Sequence, residues 1–237
     1  MFTRRLRETK KTVMRNRNLL IGAGVAAAGI GATAAYVWGI RPWHLRWGAT
    51  DEELRAALPG DELISHARLK ATHAITINAP AADIWPWLVQ MGQNRGGFYS
   101  YTWLENLVGC QMQNADEIVP EWQELNVGDK VWLHPKAPPV EVAAVEPGRA
   151  IVLKPWGAFV LQPIDEKKTR LIIRSQGDYD PDLKNPLLNF LLWRVVYEPA
   201  HFIMERKMLL EIKRRAETLT RERAEERRSE ELDHSGW

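Results

Sequence analysis

The hydrophobic and polar positions divide the chain into stretches of different period. Leu19 to Ile40 reads LLIGAGVAAAGIGATAAYVWGI, uncharged over a length that, as a helix, crosses a hydrocarbon core of ~30 Å. From Ala71 the pattern changes to period two, with His73, Ile75 and Ile77 alternating with Thr72, Ala74 and Thr76, which predicts a strand. Asn78-Ala79-Pro80 closes that strand, and Pro80 suits the first turn of a helix over Ala81 to Met91. Pro86 inside this helix predicts a kink or a shortened turn. After the loop from Gly92 to Gly97, Tyr99 to Leu107 predicts a second short helix, with a serine and a threonine as caps and Trp103 and Leu107 four apart on one face.

Strands follow from Gly128. Val131 and Leu133 alternate with Trp132 and His134, and Val140, Val142 and Ala144 alternate with Glu141 and Ala143. Ile151–Leu153, Ala158–Leu161 and Leu171–Arg174 supply further strands, and their short connections imply an antiparallel sheet. The last third is helical after Asn185-Pro186, with an interruption expected at Pro199. Beyond it Met204, Met208, Leu209, Ile212 and Ala216 share a face that must be buried, and after Lys213 the pattern becomes densely mixed charge, a solvated helical face.

These periods divide the chain into a basic N-terminus (1–18), a transmembrane helix (19–40), a connector (41–70) with a short helix and no need of a core, one folded domain (71–220) and a charged extension (221–237). Arg4, Arg5, Arg7, Lys10, Lys11, Arg15 and Arg17 precede the apolar run against one acid, Glu8, while Arg41 and Arg46 alone follow it closely. The positive-inside rule therefore puts the N-terminus in the cytoplasm and the domain outside a plasma (inner) membrane. Tyr36, Trp38, Trp43 and Trp47 fall where aromatic rings favour the lipid–water interface. Ala32-Thr33-Ala34 also resembles a small-residue cleavage site, so a removed signal peptide and a buried soluble helix stand beside the retained anchor as readings of this segment.

The net charge of +2 hides this asymmetry: the remainder of the chain is mildly acidic, and nucleic acid is excluded as a partner of the domain. The single cysteine, Cys110, rules out an internal disulfide and a thiolate-built zinc site. No glycine-rich phosphate loop, paired-histidine metal motif or serine nucleophile elbow occurs, so neither metal nor cofactor is expected.

Strand, two helices, antiparallel strands and a long C-terminal helix is the order of the helix-grip fold. The phrases ITINAPAADIWPWLVQMG, GGFYSYTWLENLVG, NADEIVPEWQ, LNVGDKVWL, VEPGRAIVL and HFIMERKMLLEIKRRAE resemble the SRPBCC superfamily, the START-like group that includes polyketide cyclases and lipid-transfer proteins, and most of all a bacterial membrane-anchored branch. The resemblance runs from about Trp47 to Glu217. It implies an α+β fold, a curved antiparallel sheet around the C-terminal helix, with a cavity for a hydrophobic small molecule or lipid. It implies no particular reaction, because the superfamily holds carriers, receptors and enzymes alike.

The polar residues expected to border such a cavity are Gln93, Tyr99, Tyr101, Glu105, His134, Arg174, His201 and Glu205. His201 and Glu205 are the candidates for acid–base chemistry, since a four-residue step stacks them on one helix face, although structural capping near Pro199 is the plainer account. Gln93, Tyr99, Tyr101, Trp103, Arg174, Met204 and Met208 are the candidate ligand contacts, with core packing the plainer use of Trp103 and of the methionines. An inward-facing Arg174 requires a carboxylate partner, and an outward-facing one is the alternative. Three functions are consistent with these residues: a non-catalytic binding module, an acid–base enzyme of cyclase, dehydratase or hydrolase type, and a structural protein that docks a partner through its charged helix.

Overall fold

The computed structural model describes residues 2–63, 69–177 and 184–235. Residues 64–68, part of the expected connector, lie outside the described residues, as do the first residue and the last two. The chain opens with a helix, α1 (Phe2–Ala35), continues through a π-helical turn (Tyr36–Ile40) into α2 (Arg41–His44), and then forms the short α3 (Asp51–Arg55). Strand β1 (Leu69–Ile77), helices α4 (Ala81–Val89) and α5 (Thr102–Leu107), and strands β2 (Lys130–Val131), β3 (Val140–Glu146), β4 (Ala150–Lys154), β5 (Gly157–Asp165) and β6 (Lys168–Gly177) follow. The chain ends in α6 (Pro186–Phe190), a second π-helical stretch (Leu191–Tyr197) and the 38-residue α7 (Glu198–Ser235).

The described strands form one antiparallel sheet in the order β1-β6-β5-β4-β3-β2, with α7 packed against β1 and α4. This is the α+β helix-grip arrangement. The period-two alternation sets which side chains face in: Ile77, Leu171, Ile173, Phe159 and Leu161 meet Ile84 and Leu88 of α4 and Met208, Leu209 and Ile212 of α7 in the main core. The buried helical face is thus the one that the 100° spacing predicts, while Ile203 on another face is 50% exposed.

The connector is more than a tether, contrary to the expectation that it needs no core. Leu58 is buried against Ala74, Val152 and Ile172 on the outer face of the sheet. Two outward-facing arginines of β6 hold this layer down. Arg170 pairs bidentately with Glu53, at 2.6 and 2.9 Å. Arg174, 1% exposed, donates to Asp61 at 2.5 Å, to Thr72 Oγ1, and to the carbonyls of Glu53, Leu54 and Ala56, the last of which end α3. A guanidinium at the carbonyl end of a helix satisfies acceptors that lack intrahelical partners. Its partners in the connector are backbone carbonyls and an aspartate that no strand pattern announces.

The connector also closes the free edge of the sheet. Thr72 and Ala74 of β1 donate their N–H groups to the carbonyls of Leu45 and Trp47, so the edge that would otherwise template association is covered. This approach is close enough that a Cβ on Gly48, whose φ is +73°, would lie 2.1 Å from the carbonyl oxygen of Ala74.

The interruption expected at Pro199 takes a different form. The helical run continues from Pro186 to Ser235, with the π register of Leu191–Tyr197 just ahead of the proline. A proline lacks the N–H for its turn and its ring crowds the carbonyl four residues back, and a π turn accommodates both. The same device precedes Pro42 at Tyr36–Ile40. The two helical runs meet there: Glu198, 2% exposed, accepts from Arg41 at 2.6 and 3.0 Å and pairs with Arg194. Phe202, one turn on, packs edge-on to Trp43, Trp47 and His73.

Replacing Asp61 with alanine leaves the Arg174 guanidinium buried without its carboxylate. Asp61→Ala is expected to lower unfolding stability by about 3 kcal/mol, within the range for breaking a buried pair. Chemical denaturation measures this, and a loss below 1 kcal/mol would show that the clamp contributes little.

Candidate functional site

A cavity of about 150 Å³ lies between α7, the α5 region and the turn that joins β4 to β5. Helix α7 contributes His201, Met204, Glu205 and Met208, spaced so that they fall on one side of the helix, and α5 contributes Glu105. Phe98 and Trp156 form an aromatic wall, their rings edge-on at 5.4 Å, and Cys110, Met112 and Leu133 complete an apolar lining. Ser100 also reaches the cavity, and its hydroxyl donates to the Met204 carbonyl at 3.0 Å, tying the loop before α5 to α7.

Glu205 is 3% exposed and sits where α7 crosses β1 and β6. Ser175 Oγ lies 3.0 and 3.1 Å from its two oxygens, His201 Nδ1 lies 3.1 Å from Oε2, and His73 Nδ1 lies 3.5 Å from the same atom. Burial alone would raise this carboxyl, but the charges of His73 and His201 and the hydrogen bonds from His73 and Ser175 outweigh it and hold Glu205 below the usual carboxylate range. Burial likewise pulls His73 down, and the Glu205 charge, with hydrogen bonds to Glu205 and to the His44 carbonyl, prevails and raises it.

Glu105 is the opposite case. It is 4% exposed, its Oε2 is buried without a hydrogen-bond partner, and burial pushes its carboxyl up to about 7. Helix α5 turns its apolar residues outward instead, with Trp103 67% and Leu107 75% exposed. A short helix that buries its acid and exposes its tryptophan inverts ordinary amphipathicity, and a buried polar group is the more informative observation. The expected core role of Trp103 is therefore not what the structure has: α5 buries Glu105 and exposes Trp103.

The other candidates divide. Met204 and Met208 line the cavity beside His201 and Glu205. Tyr99 does not; it is fully buried at a φ of 55°, donates from its hydroxyl to the Trp87 carbonyl at 3.1 Å, and lies under the Arg215 guanidinium. Tyr101 lies beside Lys207 on the far end of the same loop, outside the cavity lining. Gln93 is buried with its backbone N–H on the Trp132 carbonyl and also stands outside the lining. Arg174 is on the opposite face of the sheet, because it is one residue out of phase with Ile173 and Ser175. His134 is held by structure, its Nε2 at 3.2 Å from the Val108 carbonyl and its Nδ1 accepting from Lys136. His73 and Ser175 were not among the candidates, although both share the inward phase of their strands. Among the described residues no group of His, Cys, Asp or Glu is disposed to hold a metal ion.

No protein-family model matches the sequence, and no curated protein matches it either. Among solved structures, a polyketide cyclase-like protein from Corynebacterium glutamicum, determined by solution NMR, is 16% identical over 70% of this chain and 95% of its own, with a TM-score of 0.27. A likeness at that score carries no argument, and the strand order and the place of α7 characterise the fold directly. The fold is an α+β helix-grip. In this domain the cavity lies against the gripping helix, walled by α5 and by the loops around Phe98, Met112, Leu133 and Trp156.

The raised Glu105 carboxyl has a consequence for stability. Its folded value of about 7 exceeds the ordinary 4.5, so the native state binds more protons than the unfolded chain between those values. The associated stability is fully present below about pH 4.5 and is lost as pH rises through about 7. Glu105→Gln removes this dependence: the drop in melting temperature from pH 5 to pH 8 is expected to be smaller in the variant than in the wild type. Equal drops would mean that Glu105 ionises normally.

Proposed function

We propose that this protein is a membrane-tethered START-like domain that binds a small hydrophobic molecule bearing one polar group. The observation that carries the reading is the cavity: its lining is apolar except for a few convergent polar groups, the usual character of small-molecule sites. An apolar cavity of about 150 Å³ takes a molecule of roughly benzene size. This favours a small ligand over a full lipid in the conformation described, since drug-sized ligands occupy roughly 300–1,000 Å³.

The tether is Asn16–His44, which among the described residues is the one helix long and apolar enough to cross a membrane. A second element supports a membrane location. Leu187, Phe190 and Val196, at the start of the C-terminal helical run, are 66%, 41% and 58% exposed. Leu187 and Phe190 share a groove with Gly29, Ile30 and Trp38 of the span. Apolar side chains at that position are costly in water and stabilised at a lipid interface. The basic residues ahead of the span support a domain on the outer side, by the positive-inside rule.

The acid–base reading is favoured by one observation: Glu105, His201 and Glu205 all reach the same cavity, with two carboxyls in opposed protonation states.

Native mass spectrometry of the full chain from mild detergent, followed by denaturation, tests the binding reading. A defined low-mass apolar compound, released in near-stoichiometric amount and lost from Met208→Trp, is expected. Repeated recovery of empty protein that binds no small apolar compound would overturn it.

A further inference from the structure

Resting on the binding reading above, we propose that the cavity catalyses proton transfer on a small carbonyl compound, with Glu105 hydrogen-bonding the carbonyl oxygen and His201, oriented by Glu205, taking a proton from the adjacent carbon.

Three features of the site select this chemistry. First, Glu105 Oε2 is buried without a partner, in a cavity walled by Phe98, Trp156 and Met112. A buried carboxyl lacking a hydrogen bond gains most from a ligand atom that completes it, and a neutral carboxyl donates its O–H to a carbonyl oxygen. Second, His201 lines the same cavity with Nδ1 at 3.1 Å from Glu205. Donating Nδ1–H to that carboxylate leaves the lone pair on Nε2, the tautomer of a general base. Third, Glu205 is itself fixed by Ser175 from β6 and His73 from β1, so the imidazole is oriented against a rigid sheet.

The step balances within these groups. Nε2 of His201 accepts the proton as the carbon–hydrogen bond breaks. Its electron pair forms the carbon–carbon double bond, and the carbonyl oxygen takes the Glu105 proton. The products are an enol, an imidazolium and the Glu105 carboxylate, with net charge unchanged. When the imidazolium proton is first replaced from solvent, its delivery to the same carbon gives hydrogen exchange and its delivery to a conjugated carbon gives a double-bond isomer, the enol proton returning to the Glu105 carboxylate in either case. Glu205 is a positioning residue in this scheme, since it touches His201 and not the reacting atoms.

Tyr197 stacks on the imidazole of the base His201, with ring centroids 5.9 Å apart. Cys110 lies near Glu105 and its thiol is raised by burial and by that carboxyl. His73, Ser175 and His201 surround Glu205. Exchange is therefore expected to decline as pH rises through about 7, where Glu105 ionises.

The test uses the full chain in detergent micelles with cyclohexanone as the probe, a ring close to benzene in size. Saturation-transfer NMR reads binding, and loss of the α-hydrogen signal in D₂O reads exchange. Saturable exchange above the buffer rate is expected, falling by about 10²-fold in both Glu105→Gln and His201→Asn while binding persists. Binding without exchange would overturn the catalytic proposal and leave the binding reading intact. Exchange unaffected by both substitutions would overturn it as well, by placing the chemistry elsewhere. Absence of both binding and exchange would overturn the catalytic proposal, and the binding reading then stands or falls on the compound recovered by native mass spectrometry. Melting curves of each variant confirm that a lost rate is not a lost fold.

Discussion

A carboxylate removed from water must be paired or neutralised, and the burial of Glu205 organises much of this molecule around that requirement. Its partners come from three separate elements: His201 from its own helix, Ser175 from the strand paired with β1, and His73 from β1 itself. One side chain thus pins α7 across two strands at a single register. It also forms one wall of the cavity, so the interaction that seats the gripping helix places an ionised group at the site. His73 in turn reaches the His44 carbonyl, which extends the chain of polar contacts to the end of the long apolar N-terminal helical run.

The second organising contact is between the connector and the outer face of the sheet. Arg170 and Arg174 project from β6 on the side away from α7, and their partners Glu53 and Asp61 lie in the connector. With Leu45 and Trp47 along the edge of β1, this layer makes the domain begin where the N-terminal helical run ends. Glu198 bridges Arg41 and Arg194 at the same corner, and Phe202 sits under Trp43 and Trp47. The domain is therefore tied to the N-terminal helical run by packing and ion pairs as well as by the chain.

The two carboxyls of the cavity illustrate how environment separates groups of identical chemistry. Glu205 meets two imidazoles and a hydroxyl, and its ionised form prevails; Glu105 meets sulfur, aromatic carbon and Met112, and its neutral form persists to about pH 7. Nothing in the local sequence around either residue distinguishes them. Each value follows from what the fold brings alongside.

The sequence by itself determined the features that depend on periodicity. The charge-free run from Leu19, the alternation of His73, Ile75 and Ile77, the hairpin spacing after Gly128 and the buried face from Met204 to Ala216 each set a local element, and together they specify the helix-grip order. The step from His201 to Glu205 is likewise legible, since helix geometry stacks residues four apart whatever surrounds them. The tertiary structure decided what depends on contacts between distant segments. It turned Arg174 onto the outer face, where a partner 113 residues away in sequence completes it, and it left Trp103 exposed so that Glu105 is buried. It also joined His73 and Ser175 to Glu205 across 132 and 30 positions, because a side chain's partners are set by which strands pair and where a helix crosses them, and period two specifies a face without specifying what covers it.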